Sequence, residues 1–176
     1  LDAIRDGLAR REQLAYWDQS IIKNGNILTD YRRDYLDYLG TIETAFGRYE
    51  LSYDASTISS SRLAQYSEAE LAVGHTLVGP HKDDFIIKSD GRDLMKYGSR
   101  GEQRLAVLFL KLGNMRYVEE TLKIKPILLL DDIFSELDEE HRKEVVKMTE
   151  GRQTIITSAE EEVGEIFGNE AKLNII

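Results

Sequence analysis

The run P-I-L-L-L-D-D-I-F-S-E-L-D, Pro126 to Asp138, restricts the fold of this chain more than any other stretch. Four consecutive aliphatic residues, Ile127 to Leu130, break abruptly into two adjacent carboxylates, Asp131 and Asp132. No polar residue interrupts the run, so it reads as a central parallel strand of an α/β sheet, covered on both faces. Ligands of open α/β sheets bind outside the carboxyl ends of the strands. Two uncompensated carboxylates there suit a hydrated Mg²⁺ ion. The alternative is a strand-to-loop transition in which an aspartate caps the next helix.

The flanking segments extend the same pattern. Ser135-Glu-Leu-Asp138 leads into an amphipathic helix over about Glu139–Thr149, which Gly151 stops. Gln153–Thr157 is a second buried strand, followed by a helix near Glu160–Phe167 and a last strand over Lys172–Ile176. Strand–helix–strand–helix–strand at this spacing implies parallel pairing with right-handed crossovers. Upstream, Gly98-Ser-Arg-Gly-Glu-Gln-Arg104 opens an apolar helix, Leu105–Leu122. Ser99-x-x-Glu102 is a capping box. Two glycines around the helix start also leave backbone N–H groups approachable by an anion such as phosphate. The same serine can serve either use.

The first third of the chain has another character. Leu14, Trp17, Ile21, Asn24, Leu28, Tyr31, Tyr35, Tyr38 and Ile42 alternate in steps of three and four, a heptad seam inside one long helix over about Leu8–Phe46. Gly25 costs such a helix about 1 kcal/mol relative to alanine, too little to break it. The seam needs a partner, expected upstream of Leu1. It is either a lever or dimerising arm or an ordinary helix-bundle element. Arg48–Asp54 alternates like a strand, Ser56–Ser61 is a loop, and Ser61 is a candidate N-cap for a helix ending at Val73–Gly74. Gly79-Pro80 is a turn, Asp84–Lys88 a strand, and Ser89-Asp90-Gly91 a hairpin into a strand over Arg92–Tyr97. The polar cluster His81-Lys82-Asp83-Asp84 is a solvated loop or a site. The expected domains are 1–72, a helical arm with its connecting segment, and 73–176, an α/β lobe.

Composition excludes several classes. No apolar run approaches the roughly 18 residues that span a bilayer. The chain has no cysteine, so disulfides and thiolate metal sites are out, and a reducing, cytoplasmic compartment fits. Its three histidines are too scattered for a zinc site. A formal charge of −9 is not that of a general nucleic-acid partner, so any DNA contact needs a local patch. A start at Leu1 rather than Met is expected of a fragment.

Three pieces are specific when taken in order: G-S-R-G-E-Q-R, then L-L-L-D-D, then S-E-L-D. They resemble the signature motif, Walker B strand and D-loop of an ABC-type ATPase head. The upstream L-V-G-P-H-K-D-D narrows the resemblance to the RecF family of DNA replication and repair proteins, relatives of the SMC-type ATPases. The resemblance implies an α/β fold, the C-terminal part of such a head, preceded by a long helical or coiled-coil arm. It implies that Asp131 holds Mg²⁺ through water and that Asp132 stands where ABC ATPases usually place a water-polarising glutamate. Ser99 and Gly101 would contact the γ-phosphate of ATP bound to the other protomer, with Gln103 and Arg104 completing that motif. Ser135 and Asp138 would lie in the D-loop, which crosses the dimer interface. His81 and its neighbours match the family's G-P-H motif, which has no assigned role here.

The departures are also informative. No G-x-x-x-x-G-K-[ST] phosphate cradle occurs in the sequence, so this segment alone is expected neither to bind ATP tightly nor to hydrolyse it. Thr157, Ser158 and Ala159 stand where many ABC proteins carry a switch histidine. The resemblance implies a full-length protein that is a slow ATPase and an ATP-dependent homodimer on DNA. It also implies binding at single-strand/double-strand junctions, SOS-linked recombinational repair, and recombination mediator partners. The alternatives are another SMC-like or transporter-type ABC ATPase, or a non-catalytic interaction module with an ATPase-like fold.

Overall fold

The computed structural model describes residues 1–44, 47–160 and 163–167. The expected last strand and the end of the predicted long helix at Phe46 lie outside them. The chain divides into two compact units, one of Leu1–Thr41 with Glu50–Lys88, the other of Ile42–Tyr49 with the chain from Ser89 onward.

In the first unit a short helix α1 (Asp2–Arg5) and a 3-10 turn (Arg11–Leu14) precede the long helix α2, Ala15–Gly40. Strand β1 (Glu50–Asp54), helix α3 (Ser60–Val73), a 3-10 turn (Pro80–Lys82) and strand β2 (Asp84–Ser89) follow. β1 and β2 pair antiparallel with Tyr53 opposite Phe85. α2 stops at Gly40, short of the predicted end, where the Thr41 hydroxyl donates to the Tyr38 carbonyl at 2.7 Å. α3 is capped by Ser59 rather than Ser61, the Ser59 Oγ accepting the Arg62 N–H at 3.3 Å. It ends as expected at Gly74, in the left-handed conformation at φ 80°.

Much of the predicted seam of α2, whose partner is expected outside this chain, is open, although Tyr35 and Tyr38 are half-buried. Trp17 and Tyr31 of that seam are 64% and 67% exposed, and Ile21 and Leu28 are also exposed. The packed face is the stripe one residue further on, where Gly25, Thr29 and Leu39 are buried and Ile22, Arg32 and Leu36 partly so. One residue is 100° of helix rotation, so α2 carries two adjacent stripes, and the one with the smaller residues faces its own unit. A Cβ on Gly25 would lie 2.8 Å from Ile58 Cγ2 and 3.3 Å from Pro80 Cδ. Glycine lets the helix approach that closely.

The second unit runs β3 (Arg92–Asp93), α4 (Leu94–Tyr97), α5 (Arg100–Leu122), β4 (Leu128–Asp131), a 3-10 turn (Phe134–Glu136), α6 (Glu139–Thr149), β5 (Thr154–Thr157) and α7 (Val163–Ile166). The predicted strand over Arg92–Tyr97 is a strand for only two residues. The Asp93 side chain then accepts the Met95 N–H at 3.0 Å and starts a helical turn instead. α5 buries Ala106, Leu108, Phe109, Leu112 and Met115, and the Tyr49 ring stacks at a tilt 4.7 Å from Phe109. Burial of each large side chain contributes about 1.5–3 kcal/mol.

β4 and β5 pair in parallel, Leu128 with Thr154 through Asp131 with Thr157, as the alternation of elements predicts. Leu130, Phe134, Leu137, Val145 and Met148 are buried beside them. The cover expected on the second face is not supplied by the described residues: Leu129 is 70% exposed, Ile127 58% and Ile155 55%. Side chains alternate across a strand, so one face of the pair is covered and the other is open among the described residues.

Candidate functional site

The two carboxylates stand where the strand ends. Asp131 is the last residue of β4, and its Oδ1 accepts the Thr157 hydroxyl from the neighbouring strand. The Asp132 N–H donates to the Thr157 carbonyl at 3.0 Å and to its hydroxyl at 3.2 Å. Asp132 itself is left-handed at φ 45°, a conformation that costs a non-glycine residue about 1 kcal/mol and clusters at functional sites. The Ser135 hydroxyl reaches back to the Asp132 carbonyl at 3.2 Å and to its Oδ2 at 3.3 Å. Of the predicted site residues, Ser135 is thus tied to Asp132, and Asp131 and Asp132 are tied together by a residue outside the predicted set, Thr157. Its signal in the sequence is its place at the end of the adjacent strand, in register with Asp131.

Neither of these aspartates caps the following helix. Asp138 does: its Oδ1 accepts the His141 N–H at 2.9 Å and faces His141 Nδ1 at 2.7 Å. The His141 backbone N–H, and then its ring, hold the Asp138 carboxyl below the usual range against a smaller opposing effect of burial. The capping role that could have explained the acidic pair therefore belongs to another residue.

Mg²⁺ is commonly bound through one or two carboxylates, with waters and substrate phosphates completing its shell. Asp131 and Asp132 are exposed, and their hydrogen bonds to hydroxyls use one oxygen of each. Among the described residues no group of three His, Cys, Asp or Glu could hold a metal. The donor set therefore fits Mg²⁺ only as a partial site, with phosphate and water supplying the rest.

The loop between the carboxylates and α6 is held from behind by Arg142. Its Nε donates to the Leu137 carbonyl at 2.9 Å and its Nη2 to the Phe134 carbonyl at 2.8 Å. Nη2 also pairs with Glu160 Oε2 at 2.8 Å. Sequence reasoning passed over Arg142. The available signal was an arginine four residues after Asp138, since helical side chains lean back toward the N-terminus.

The other predicted group lies at the start of α5. Ser99 is its N-cap, and the capping box is formed, with Ser99 Oγ accepting the Glu102 N–H at 3.2 Å and Glu102 Oε2 accepting the Ser99 N–H at 2.7 Å. Glu102 also pairs with Arg92 at 2.9 Å. The backbone N–H of Ser99 is the main reason that the Glu102 carboxyl lies below its ordinary range. Gln103 Nε2 donates to the Leu94 carbonyl at 2.8 Å, and Arg104 is exposed on the first turns of the helix. The two glycines differ. A Cβ on Gly98 would meet the Leu94 carbonyl oxygen at 2.5 Å, so the chain's own packing requires that glycine. A Cβ on Gly101 would meet nothing within 4 Å, so glycine there has no internal cause.

In the turn His81–Asp84, in the first unit, His81, Lys82 and Asp84 are exposed, but Asp83 is an anchor. The Asp83 side chain is 2% exposed and accepts from Arg32 Nη1 at 2.9 Å, from the Ser56 N–H at 2.7 Å and from the Tyr53 hydroxyl. Arg32 also donates to the Pro80 carbonyl, and the Gly79 N–H donates to Ser56 Oγ at 3.2 Å. His81 is exposed, with Nε2 at 2.7 Å from the Thr76 carbonyl.

No protein-family model matches the chain. Curated relatives do. It is 38% identical over 157 residues, 83% of this chain and 44% of the relative, to the DNA replication and repair protein RecF of Lachnoclostridium phytofermentans. It is 36% identical over 172 residues, 91% of this chain and 46% of the relative, to the protein of the same name from Moorella thermoacetica. Among solved structures, the recombination mediator protein RecF of the RecFOR pathway, as RecF-ATPrS and as RecF-ATP, superposes with a TM-score of 0.76 at 30% identity. Each covers 91% of this chain and 48% of the solved chain. The fold is therefore that of part of an ABC-type ATPase, as the motifs predict. The chain spans about half the length of the relatives that it matches.

Proposed function

We propose, from the premise that this chain belongs to the RecF family of DNA replication and repair proteins, that it carries the acidic half of an ATP-dependent dimer switch acting on DNA. The supporting observation is the end of β4: Asp131 and Asp132 stand next to each other at a strand terminus, held by Thr157 and Ser135, with Asp132 in a strained conformation. Nucleotide as the ligand is supported by the solved relatives, which are named as RecF-ATP and RecF-ATPrS.

Phosphoryl transfer needs positioning and charge neutralisation rather than covalent chemistry from the protein. Bound Mg²⁺ supplies the neutralisation of phosphate charge on the side of the acidic pair. Asp131, fixed by Thr157, offers its carboxylate to that ion. Asp132 orients the attacking water. The start of α5 offers Ser99, Gly101, Gln103 and Arg104 to the γ-phosphate of ATP held by a second protomer, which the open space at Gly101 accommodates. Ser135 and Asp138 lie at the interface so formed. The phosphate cradle belongs to a part of the full-length protein other than this segment, whose sequence contains no such motif. Slow hydrolysis then times the release of the dimer.

DNA at single-strand/double-strand junctions is the proposed partner, with other mediators of recombination, in the cytoplasm. The names of the relatives support DNA and the mediator pathway. A net charge of −9 gives the chain no general electrostatic footing on DNA, so the contact is local. No helix among the described residues is long and apolar enough to cross a membrane.

The test is Asp132→Asn in the full-length protein, with light scattering in the presence of ATP and steady-state hydrolysis. Hydrolysis should fall about a hundredfold or more, as for loss of a catalytic base, while ATP-bound dimers persist. Undiminished hydrolysis would remove Asp132 from the mechanism and this reading with it.

A further inference from the structure

We propose that Arg142 is a positioning residue for this site: it sets the shape of the Phe134–Asp138 loop and couples that loop to the segment leaving β5. The inference rests on the switch reading above, since it gives Arg142 a part in the same site.

Arg142 sits on the first turn of α6 with its side chain directed back along the helix. The carbonyls of Phe134 and Leu137, which it holds at 2.8 and 2.9 Å, bracket Ser135 and Glu136, the middle of the loop. Its third partner, Glu160 at 2.8 Å, follows closely on Thr157, whose hydroxyl grips the acidic pair. One guanidinium therefore ties the chain leaving Asp132 to the chain leaving Thr157. Those are the two segments that diverge from the paired strand ends.

An exposed ion pair contributes little. Arg142 and Glu160 are only 22% and 31% exposed at their side chains, and the guanidinium commits donors to two fixed carbonyls as well as a carboxylate. That arrangement needs a planar fork, which lysine lacks. The loop's other ties lie elsewhere: Ser135 to Asp132, the Leu137 N–H to the Phe134 carbonyl at 3.2 Å, and the Asp138 cap. Loss of the fork leaves those in place. The expected result is a displaced loop on a folded lobe, and a misplacement of about 1 Å can cost about a hundredfold in rate.

The test compares Arg142→Lys, Arg142→Gln, Glu160→Gln and the double variant of the last two in the full-length protein. Equilibrium binding of ATP, ATP-dependent dimerisation by light scattering, kcat and KM, and thermal unfolding are measured for each. Nucleotide affinity should stay at the wild-type value in both Arg142 variants, and the unfolding midpoint should fall only slightly, because the loop's other ties remain. Dimerisation and kcat should fall about tenfold to a hundredfold. Glu160→Gln should fall less and add nothing on top of Arg142→Gln, because the two residues act as one unit. Wild-type dimerisation and turnover in Arg142→Lys would overturn the proposal. So would a loss of affinity, dimerisation and thermal stability in proportion, which would make Arg142 a residue of the fold alone. Asp131→Asn in the same protein separates the two ideas. If it leaves ATP-dependent dimerisation untouched, the switch reading fails; if it abolishes it while the Arg142 variants are silent, only the positioning role fails.

Discussion

The hydroxyl of Thr157 donates to the carboxylate of Asp131 across the β4–β5 pair and accepts the N–H of Asp132 at 3.2 Å. A single side chain from the neighbouring strand thus orients the first carboxylate and fixes the backbone that turns the second. Thr157→Val keeps the shape and the β-branched strand preference but removes both contacts. The Asp132 N–H keeps its other bond, to the Thr157 carbonyl at 3.0 Å, so the strand end should stay folded. Loss of an orienting partner of a metal ligand typically weakens metal binding about 10- to 100-fold. The full-length Thr157→Val protein should therefore bind Mn²⁺, a paramagnetic stand-in for Mg²⁺, that much more weakly in the presence of nucleotide. Thr157→Ser, which retains the hydroxyl, should bind it as the wild type does. Equal Mn²⁺ affinity in the valine and wild-type proteins would deny Thr157 this role.

Two glycines of α2 should respond in opposite directions to the same substitution. Alanine is favoured over glycine inside a helix by about 1 kcal/mol. At Gly40 an added Cβ meets nothing within 4 Å, so Gly40→Ala should be neutral or stabilise by up to about that amount. At Gly25 the same atom would stand 2.8 Å from Ile58 Cγ2, and Pro80 closes the other side. Overpacking of this kind typically costs about 1–3 kcal/mol. Urea unfolding of the two variants against wild type reads the contrast. A stabilised Gly25→Ala protein would show that the contact between α2 and the Gly79–Pro80 turn is looser than these distances state.

The strand, the acidic pair, the start of α5 and the end of α3 were legible because each depends on local chemistry. Ile127–Leu130 is an unbroken apolar run ending at Asp131, Ser99 and Glu102 stand at capping-box spacing, and Gly74 stops a helix. The face that α2 packs was not legible. Its large apolar residues, Trp17 and Tyr31, marked one stripe, whereas the close approach at Pro80 selects the stripe with Gly25 and Thr29. Small residues are chosen by what comes near them, and that information is tertiary. The same applies to Asp83, where sequence shows only a polar turn. Its burial depends on Arg32 and Tyr53, 51 and 30 positions away along the chain. Arg142 was missed because two of its acceptors are backbone carbonyls, which carry no residue identity, and the third, Glu160, is 18 positions away along the chain.

Asp83 also gives the first unit an acid sensitivity with a defined sign. Burial pushes its carboxyl up, but hydrogen bonds from Tyr53, the Ser56 N–H and Arg32, together with the Arg32 charge, outweigh that and hold it below its ordinary 3.8. A carboxyl depressed by folding contributes stability above its unfolded value and loses it as pH falls toward the folded one. Asp83→Asn should therefore be destabilised by a constant amount near neutrality. The size should be about 1.5–3 kcal/mol, the range for hydrogen bonds to a charged group, with little from the ion pair because Arg32 is 41% exposed at its side chain. Below about pH 4 the gap between wild type and variant should close as the wild-type carboxyl takes up its proton. Tyr53→Phe removes one of the holding bonds and brings the folded value nearer the unfolded one, so the gap between that protein and its Asp83→Asn double variant should be smaller and should finish closing at higher pH. Urea unfolding of the four proteins between pH 3 and 7 measures all of this, roughly spanning the carboxylate range. A gap that stayed constant down to pH 3, about a unit below the ordinary carboxyl value, would mean that the contacts of Asp83 do not depend on its charge and that the stated origin of the depression is wrong, since the unfolded chain takes up its proton well above that pH.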